Sequence, residues 1–266
     1  MEAHSPKTDQ TNSLFKRFPG VGLLIIVLVL QGLRFITFYS VEGHSDLSFQ
    51  LHAASNWQQG HGFSLMEPLA NPGDTPQYSP LIGWPPGYSV LVSGVNSIIN
   101  DWLLSARILR GLALLFVLLG GFQILKNLTR NLEERQGATL SLVAIFYGLS
   151  FAPFYYPEVT GLICFGLLLF AANAWIKSLH AENSWGWIIL AACLMGLTPW
   201  FRFAYLPFLA VLPGTLGILW LVNGFQQKAF KADKRLFQAV ASAAIEILLF
   251  LPLFIHQQSQ TGALSH

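Results

Sequence analysis

Apolar residues in this chain come in long, nearly unbroken runs. Seven of them are candidate membrane spans: Phe18–Phe38, Asp101–Leu125, Gly137–Tyr156, Pro157–Ile176, Trp185–Phe201, Phe203–Val222 and Leu236–Ile255. A helix needs about 20 predominantly apolar residues to cross the hydrocarbon core, and these runs approach or meet that length. The stretch between the first two, residues 39–100, has a different pattern. It holds the polar run "SDLSFQLHAASNWQQGHGFS" from Ser45 and the turn-rich "YSPLIGWPPGYS" from Tyr78. Asp46–Gln59 is predicted to be helical. Ser45 can cap its start, Asp46 suits the first turn, and Gly60 ends it. Phe49, Ala53 and Trp57 recur at i, i+4 and i+8, with Leu47, Leu51 and Ala54 beside them and Gln50, Ser55, Gln58 and Gln59 as polar positions. This predicts a short amphipathic helix on the outer membrane surface. Leu81–Asn100 is apolar, yet it carries Pro85-Pro86-Gly87, Ser89, Ser93, Gly94, Asn96 and Ser97, and reads either as a span or as a helix lying at the surface.

Composition agrees with the pattern. Hydrophobic residues make up 53% of the chain and charged residues 11%, against about 25% charged in a soluble domain. Most of the chain therefore has no water to face. A net charge of +2 with no basic-aromatic interleaving gives no sign of nucleic-acid binding. Cys164 and Cys193 lie inside apolar runs and read as small hydrophobes. The N-terminal segment is too long and polar for a signal-peptide n-region, and Phe18–Phe38 is expected to be a retained first helix.

Positive charge orients the spans, because Lys and Arg collect on the cytoplasmic side. If Leu81–Asn100 does not cross, every Lys falls on one side, and only Arg34, Arg107, Arg110 and Arg202 fall toward the other. If it crosses, Lys126, Arg130 and Arg135 move outside and the sorting fails. The expectation is therefore an all-α, polytopic helix bundle of about seven transmembrane helices. Residues 1–17 form a cytoplasmic tail and 18–255 the membrane domain. Its outer loop, 39–100, contains amphipathic or re-entrant helices, and 256–266 form an outer tail.

The four outer cations are all Arg. Each can simply snorkel to headgroups, but together they form a cationic rim, and Arg grips phosphate bidentately where Lys acts as a point charge. On the same side lie Glu42, Asp46, Glu67, Asp74, Asp101 and Glu158. Asp46 and Glu158 stand out, because one opens the amphipathic helix and the other opens a span. Two anchored carboxylates beside such a rim suit transfer from a phosphate donor. One acid takes a proton from an acceptor hydroxyl while Arg neutralises the departing phosphate. His44, His52 and His61 lack the spacing that puts two imidazoles on one helix face. Glu246, in the middle of the last span, is either a functional acid or a neutral, hydrogen-bonded packing residue.

In order, Asp46, Phe49, Ala54, Gly60-His61-Gly62-Phe63-Ser64, Trp84-Pro85-Pro86-Gly87-Tyr88, Ala106-Arg107-Ile108, Pro157-Glu158 and Met195-Gly196-Leu197-Thr198-Pro199-Trp200-Phe201-Arg202 form a pattern. It resembles the amino-terminal part of the GT-C membrane glycosyltransferases, the group that includes protein O-mannosyltransferases and aminoarabinose transferases. The resemblance runs from about Phe18 to Pro213. It implies a polyprenyl-phosphate-linked sugar donor, hexosyl or pentosyl transfer to a lipid, glycan or protein acceptor, and a bacterial-type inner membrane with the N-terminus cytoplasmic. It also implies Asp46 as general base, with Glu158 assisting and leaving room for a divalent metal. Arg202, with Arg107 or Arg34, would hold the donor phosphate, and His61 and Tyr88 are further candidates. Leu47 stands where many relatives have a second acid, and the "LTR" arginine of the family is displaced to Arg202. Family members are usually longer. A truncated or non-catalytic relative acting as a partner subunit is therefore the rival expectation, and a transporter the third.

Overall fold

The computed structural model describes residues 45–69, 71, 73–129, 159–181, 183–227 and 233–261. Apart from the end of one helix at 125–129, all of these belong to one compact unit, Ser40–Ile124 with Pro157–His266. The expected spans Phe18–Phe38 and Gly137–Tyr156, and with them Arg34, Glu158, Glu42 and His44, lie outside the described residues.

The architecture is helical. Helix α1 (Ser45–Gln58) leads to a small antiparallel hairpin, β1 (Ser64–Met66) and β2 (Tyr78–Pro80), with Leu65 opposite Ser79. Helix α2 (Gly87–Ile99), α3 (Trp102–Leu128), α4 (Val159–His180) and α5 (Trp185–Gly196) follow. Two 3-10 segments, Thr198–Trp200 and Phe203–Ala210, then lead into α6 (Val211–Gln227) and α7 (Lys234–Thr261). Among the described residues, four helices are long and apolar enough to cross a membrane: Trp102–Leu128, Val159–His180, Phe203–Gln227 and Lys234–Ser259.

Local sequence accounts for the boundaries. Gly60, at φ +87°, closes α1 in a conformation that costs glycine least. Asn100, at φ 55°, ends α2, and its N–H donates to the Asn96 carbonyl at 2.8 Å. Asn is among the few residues with a side chain that visit the left-handed region routinely. Asp101 then caps α3, its Oδ1 accepting the Leu104 N–H at 2.9 Å. Asp233 caps α7 in the same way, accepting from Arg235 at 2.9 Å and Leu236 at 3.1 Å.

Two expectations change in detail. The run Trp185–Phe201 is a helix of 12 residues plus a 3-10 turn. Pro199 has no N–H to continue the ladder, and the Thr198 hydroxyl donates back to the Met195 carbonyl at 2.8 Å. The second change concerns α1. Gln50, read as a polar surface position, is buried, and so is Leu51, read as part of the apolar membrane face. Both turn toward α2. Phe49 and Trp57 do stay exposed. Helix α2 has 13 residues, about 20 Å at 1.5 Å per residue, which is short of the roughly 30 Å hydrocarbon core. Its exposed side carries Val90, Leu91 and Ile98.

The core sits among α4, α5, α6 and α7. It consists of Ala171, Ala174, Ile188, Ala191, Ala192, Met195, Leu212, Leu216 and Ala239. Small residues dominate, as expected where helices must approach closely to gain packing energy in lipid. Helices α3 and α4 run side by side in parallel. Phe116 fills the space over Gly166 and stacks on Phe170 at 4.7 Å, while Gly120 faces Leu169 and Phe170.

Candidate functional site

Helix α2 meets the bundle at Gly87. A Cβ built there would fall 2.3 Å from the Trp200 carbonyl oxygen. Only glycine allows α2 to begin directly against the Thr198–Trp200 turn. Pro85 and Pro86 are buried beside it and fix the chain's approach, and Tyr88 is buried in the first turn. The Trp200 indole Nε1 donates to the Leu249 carbonyl of α7 at 2.9 Å, so the turn is held from both sides.

Arg202 follows that turn in extended backbone, φ −159° and ψ 121°. Its N–H donates to the Thr198 carbonyl at 3.2 Å. The guanidinium reaches the first turn of α4, where a Cβ on Gly161 would lie 3.7 Å from Nη1. Tyr205 reaches the same place, its hydroxyl donating to the Gly161 carbonyl at 3.5 Å. Next to Gly161, the Thr160 hydroxyl is buried with no hydrogen-bond partner among the described residues. An arginine and a buried hydroxyl thus meet at Gly161, a combination suited to phosphate.

Arg107 and Arg110 are brought to this level by the parallel packing of α3 on α4. Phe116 opposite Gly166, and Gly120 opposite Phe170, give an offset of about 50 residues along the two helices. That offset places Arg107 and Arg110 at the height where α4 begins. Arg110 is buried at that level.

Asp46 arrives from the other side. Helices α1 and α2 are parallel and bridged by side-chain to backbone bonds. Ser89 Oγ donates to the Gln50 carbonyl at 3.0 Å, Ser93 Oγ to the Ala54 carbonyl at 3.3 Å, and Gln58 Nε2 to the Ser93 carbonyl at 2.9 Å. This register sets Asp46, half-buried in the first turn of α1, at the end of α2 that meets Trp200. Asp46, Tyr88, Arg107 and Arg202 therefore gather at one end of the unit.

His61 does not join them. It stacks on Tyr78, ring centroids 4.0 Å apart and 11° between planes, beyond the far end of α1. Three further acids, Glu67, Asp74 and Asp101, have structural roles. Ser79 Oγ donates to Glu67, the Asn71 N–H donates to Asp74 at 2.8 Å, and Asp101 caps α3. Both cysteines are free thiols, as expected. Among the described residues no three His, Cys, Asp or Glu side chains cluster as metal ligands. Thr160 and Tyr205 were not singled out from the sequence. The one signal for Tyr205 is its position three residues after Arg202 across a 3-10 turn, and Thr160 carries none. No family model matches the chain, and no curated protein and no solved structure matches it.

Proposed function

We propose that this chain is a membrane glycosyltransferase of the GT-C type. It moves a sugar from a polyprenyl-phosphate donor to an acceptor hydroxyl at the outer face of a bacterial-type inner membrane. In this reading the N-terminus is cytoplasmic, the chain crosses about seven times, and α2 lies along the outer surface. The observation that carries the proposal is the gathering of Arg202, Tyr205 and Thr160 at the first turn of α4, with the Asp46 end of α1 delivered beside it by Gly87. A lipid phosphate cannot leave the interface, so a cationic pocket fixed at that depth suits it.

Asp46 accepts the proton of the acceptor hydroxyl as that oxygen attacks the sugar's anomeric carbon. The carbon–oxygen bond to phosphate breaks, and Arg202 holds the departing phosphate, with Arg107 level with it across α3. Transfer with inversion follows from a single displacement. Leu47, buried where relatives carry a second acid, favours the rival reading of a non-catalytic GT-C-like partner subunit.

The test is donor binding and sugar transfer by the purified chain with a polyprenyl-phosphate sugar. Arg202→Lys keeps the charge but loses the bidentate fork. It is expected to weaken donor binding and transfer together. Wild-type binding in that variant would reduce Arg202 to a headgroup anchor. Donor binding without any transfer by the wild type would favour the partner-subunit reading.

A further inference from the structure

Glu246 stands apart from the site just described. It lies about midway along α7, about 18 Å from Lys234 at 1.5 Å per residue. It is 1% exposed, and neither carboxyl oxygen has a hydrogen-bond partner among the described residues. The residues one and two turns before it on the same face are buried but satisfied. Gln238 Nε2 donates to Ser184 Oγ at 2.8 Å, and Ser242 Oγ to the Ala239 carbonyl at 2.9 Å.

Among the described residues, nothing packed against α7 can balance a negative charge at Glu246. Helix α5 offers Cys193 as its one titratable group, the Phe203–Ala210 segment offers Tyr205, and the Thr198–Trp200 turn and α6 offer none. Arg202, just before Phe203, directs its guanidinium to Gly161 of α4. The cationic groups of α7 itself, Lys234, Arg235 and His256, are ten or more residues away. The helix that abuts Glu246 also presents its negative end. Gly196 closes α5, and a Cβ there would sit 3.3 Å from the Glu246 Cα. Carbonyls of a helix C-terminus repel a carboxylate and accept from a hydroxyl. An unpaired buried carboxylate costs far more than an unpaired neutral acid.

We propose that Glu246 is a proton-binding site inside the bundle, holding its proton as the neutral acid at the contact of α5 and α7, and that this acid, though closed to water, reacts with lipid-soluble carbodiimides that dissolve among the helices. The modification balances without any other reactant. The acid's proton passes to one carbodiimide nitrogen, and the carboxyl oxygen bonds the central carbon to give an O-acylisourea. The acyl group then shifts to nitrogen, leaving a stable N-acylurea and no leaving group.

The experiment treats the purified full chain, in vesicles at neutral pH, with dicyclohexylcarbodiimide, and maps adducts by peptide mass spectrometry. The expected result is an adduct on the Glu246 peptide that a water-soluble carbodiimide does not give and that sodium ions do not suppress. Glu246→Gln should lose the adduct and keep the wild-type melting temperature, because Gln mimics the neutral acid. A folded wild-type chain with no adduct at Glu246 would overturn the proposal. Suppression by sodium would replace the proton with a metal cation and overturn it as well. A large fall in melting temperature for Glu246→Gln would show a carboxylate engaged in an ion pair, the opposite of what is proposed. None of these readouts depends on sugar transfer.

Discussion

The α1–α2 pair and the bundle core hold their helices together by different means. Between α1 and α2 the contacts are polar: Ser89, Ser93 and Gln58 each bond a backbone carbonyl of the facing helix, and Asn96 Nδ2 reaches Gln58 Oε1 at 3.5 Å. Between α4 and α5 the contacts are small and apolar, through Ala171, Ala174, Ala191 and Ala192. The two kinds of contact suit different surroundings. Helices at a wet interface can exchange water hydrogen bonds for protein ones at little risk. Helices in lipid gain nothing from apolarity alone and must pack closely. The candidate site lies at the seam, where Gly87 of one region meets Trp200 of the other. Groups there are held by contacts from both regions.

The largest expected effect lies at that seam. Asp46→Asn keeps shape and polarity but removes the base. Sugar transfer should fall by about 10²–10⁴-fold, with folding and donor binding kept, since Asn also serves at a helix start. Equal, measurable transfer by variant and wild type would take Asp46 out of the chemistry.

The seam itself is broken by Gly87→Val. Its Cβ would meet the Trp200 carbonyl oxygen and carbon at 2.3 and 2.8 Å, and backbone cannot swing aside as a side chain can. Overpacking of this kind typically costs about 1–3 kcal/mol. Thermal unfolding of the purified chain should show it, and donor binding should weaken because Arg202 follows directly. An unchanged melt would mean that α2 does not dock there.

Much of this was legible in the sequence, and the physical reasons are specific. Pro85-Pro86-Gly87 and the Ser and Asn positions after it left Leu81–Asn100 readable as a span or a surface helix, and the sorting of Lys and Arg favoured the surface; the helix there, α2, is 13 residues long. Of the residues picked from the sequence, Asp46, Arg107 and Arg202 come to one end of the described unit, His61 lies at the other end of α1, and Arg34 and Glu158 lie outside the described residues. What stayed hidden depends on register. Parallel α1 and α2 bury Gln50 and Leu51, and periodicity along one helix says nothing about which neighbour will cover it. Thr160 and Tyr205 become relevant only because the fold brings Arg202 and Tyr205 against Gly161 of α4. A glycine in an apolar run gives no hint of what will fill the space above it.

The bundle side of the comparison is sharpened by Ala192→Leu. Ala192 is fully buried in the small-residue core, and the larger side chain should cost about 1–3 kcal/mol through displaced neighbours. The decisive reading is the contrast with Ala192→Ser, a nearly isosteric change at the same position. If close approach holds the core together, Ala192→Ser should be the milder change in a melt of the purified chain. A Leu variant as stable as wild type would mean that α4 and α5 leave room between them.

The smallest effect concerns the polar seam between α1 and α2. Ser93→Ala removes a hydroxyl that donates to the Ala54 carbonyl at 3.3 Å. No acceptor is stranded by this change, because a helical carbonyl has a second partner in its own ladder and two lone pairs. A net hydrogen bond is worth about 0.5–1.5 kcal/mol, and alanine recovers some of that through better helix propensity. The expected loss is therefore at the lower end of that range. Ser89→Ala, at 3.0 Å from the Gln50 carbonyl, should cost a similar amount. The pair is more telling than either variant alone. The two serines are four residues apart on one helix face and bond the same neighbouring helix. If α1 is held as a rigid strut, the double variant should lose more than the sum of the singles, as coupled contacts do. Its effect should also reach Asp46, appearing as slower transfer with no change in donor binding. Strict additivity in the melt, with wild-type transfer, would mean that α1 keeps its place by Leu47, Leu51 and Ala54 alone and that the polar bridge is dispensable.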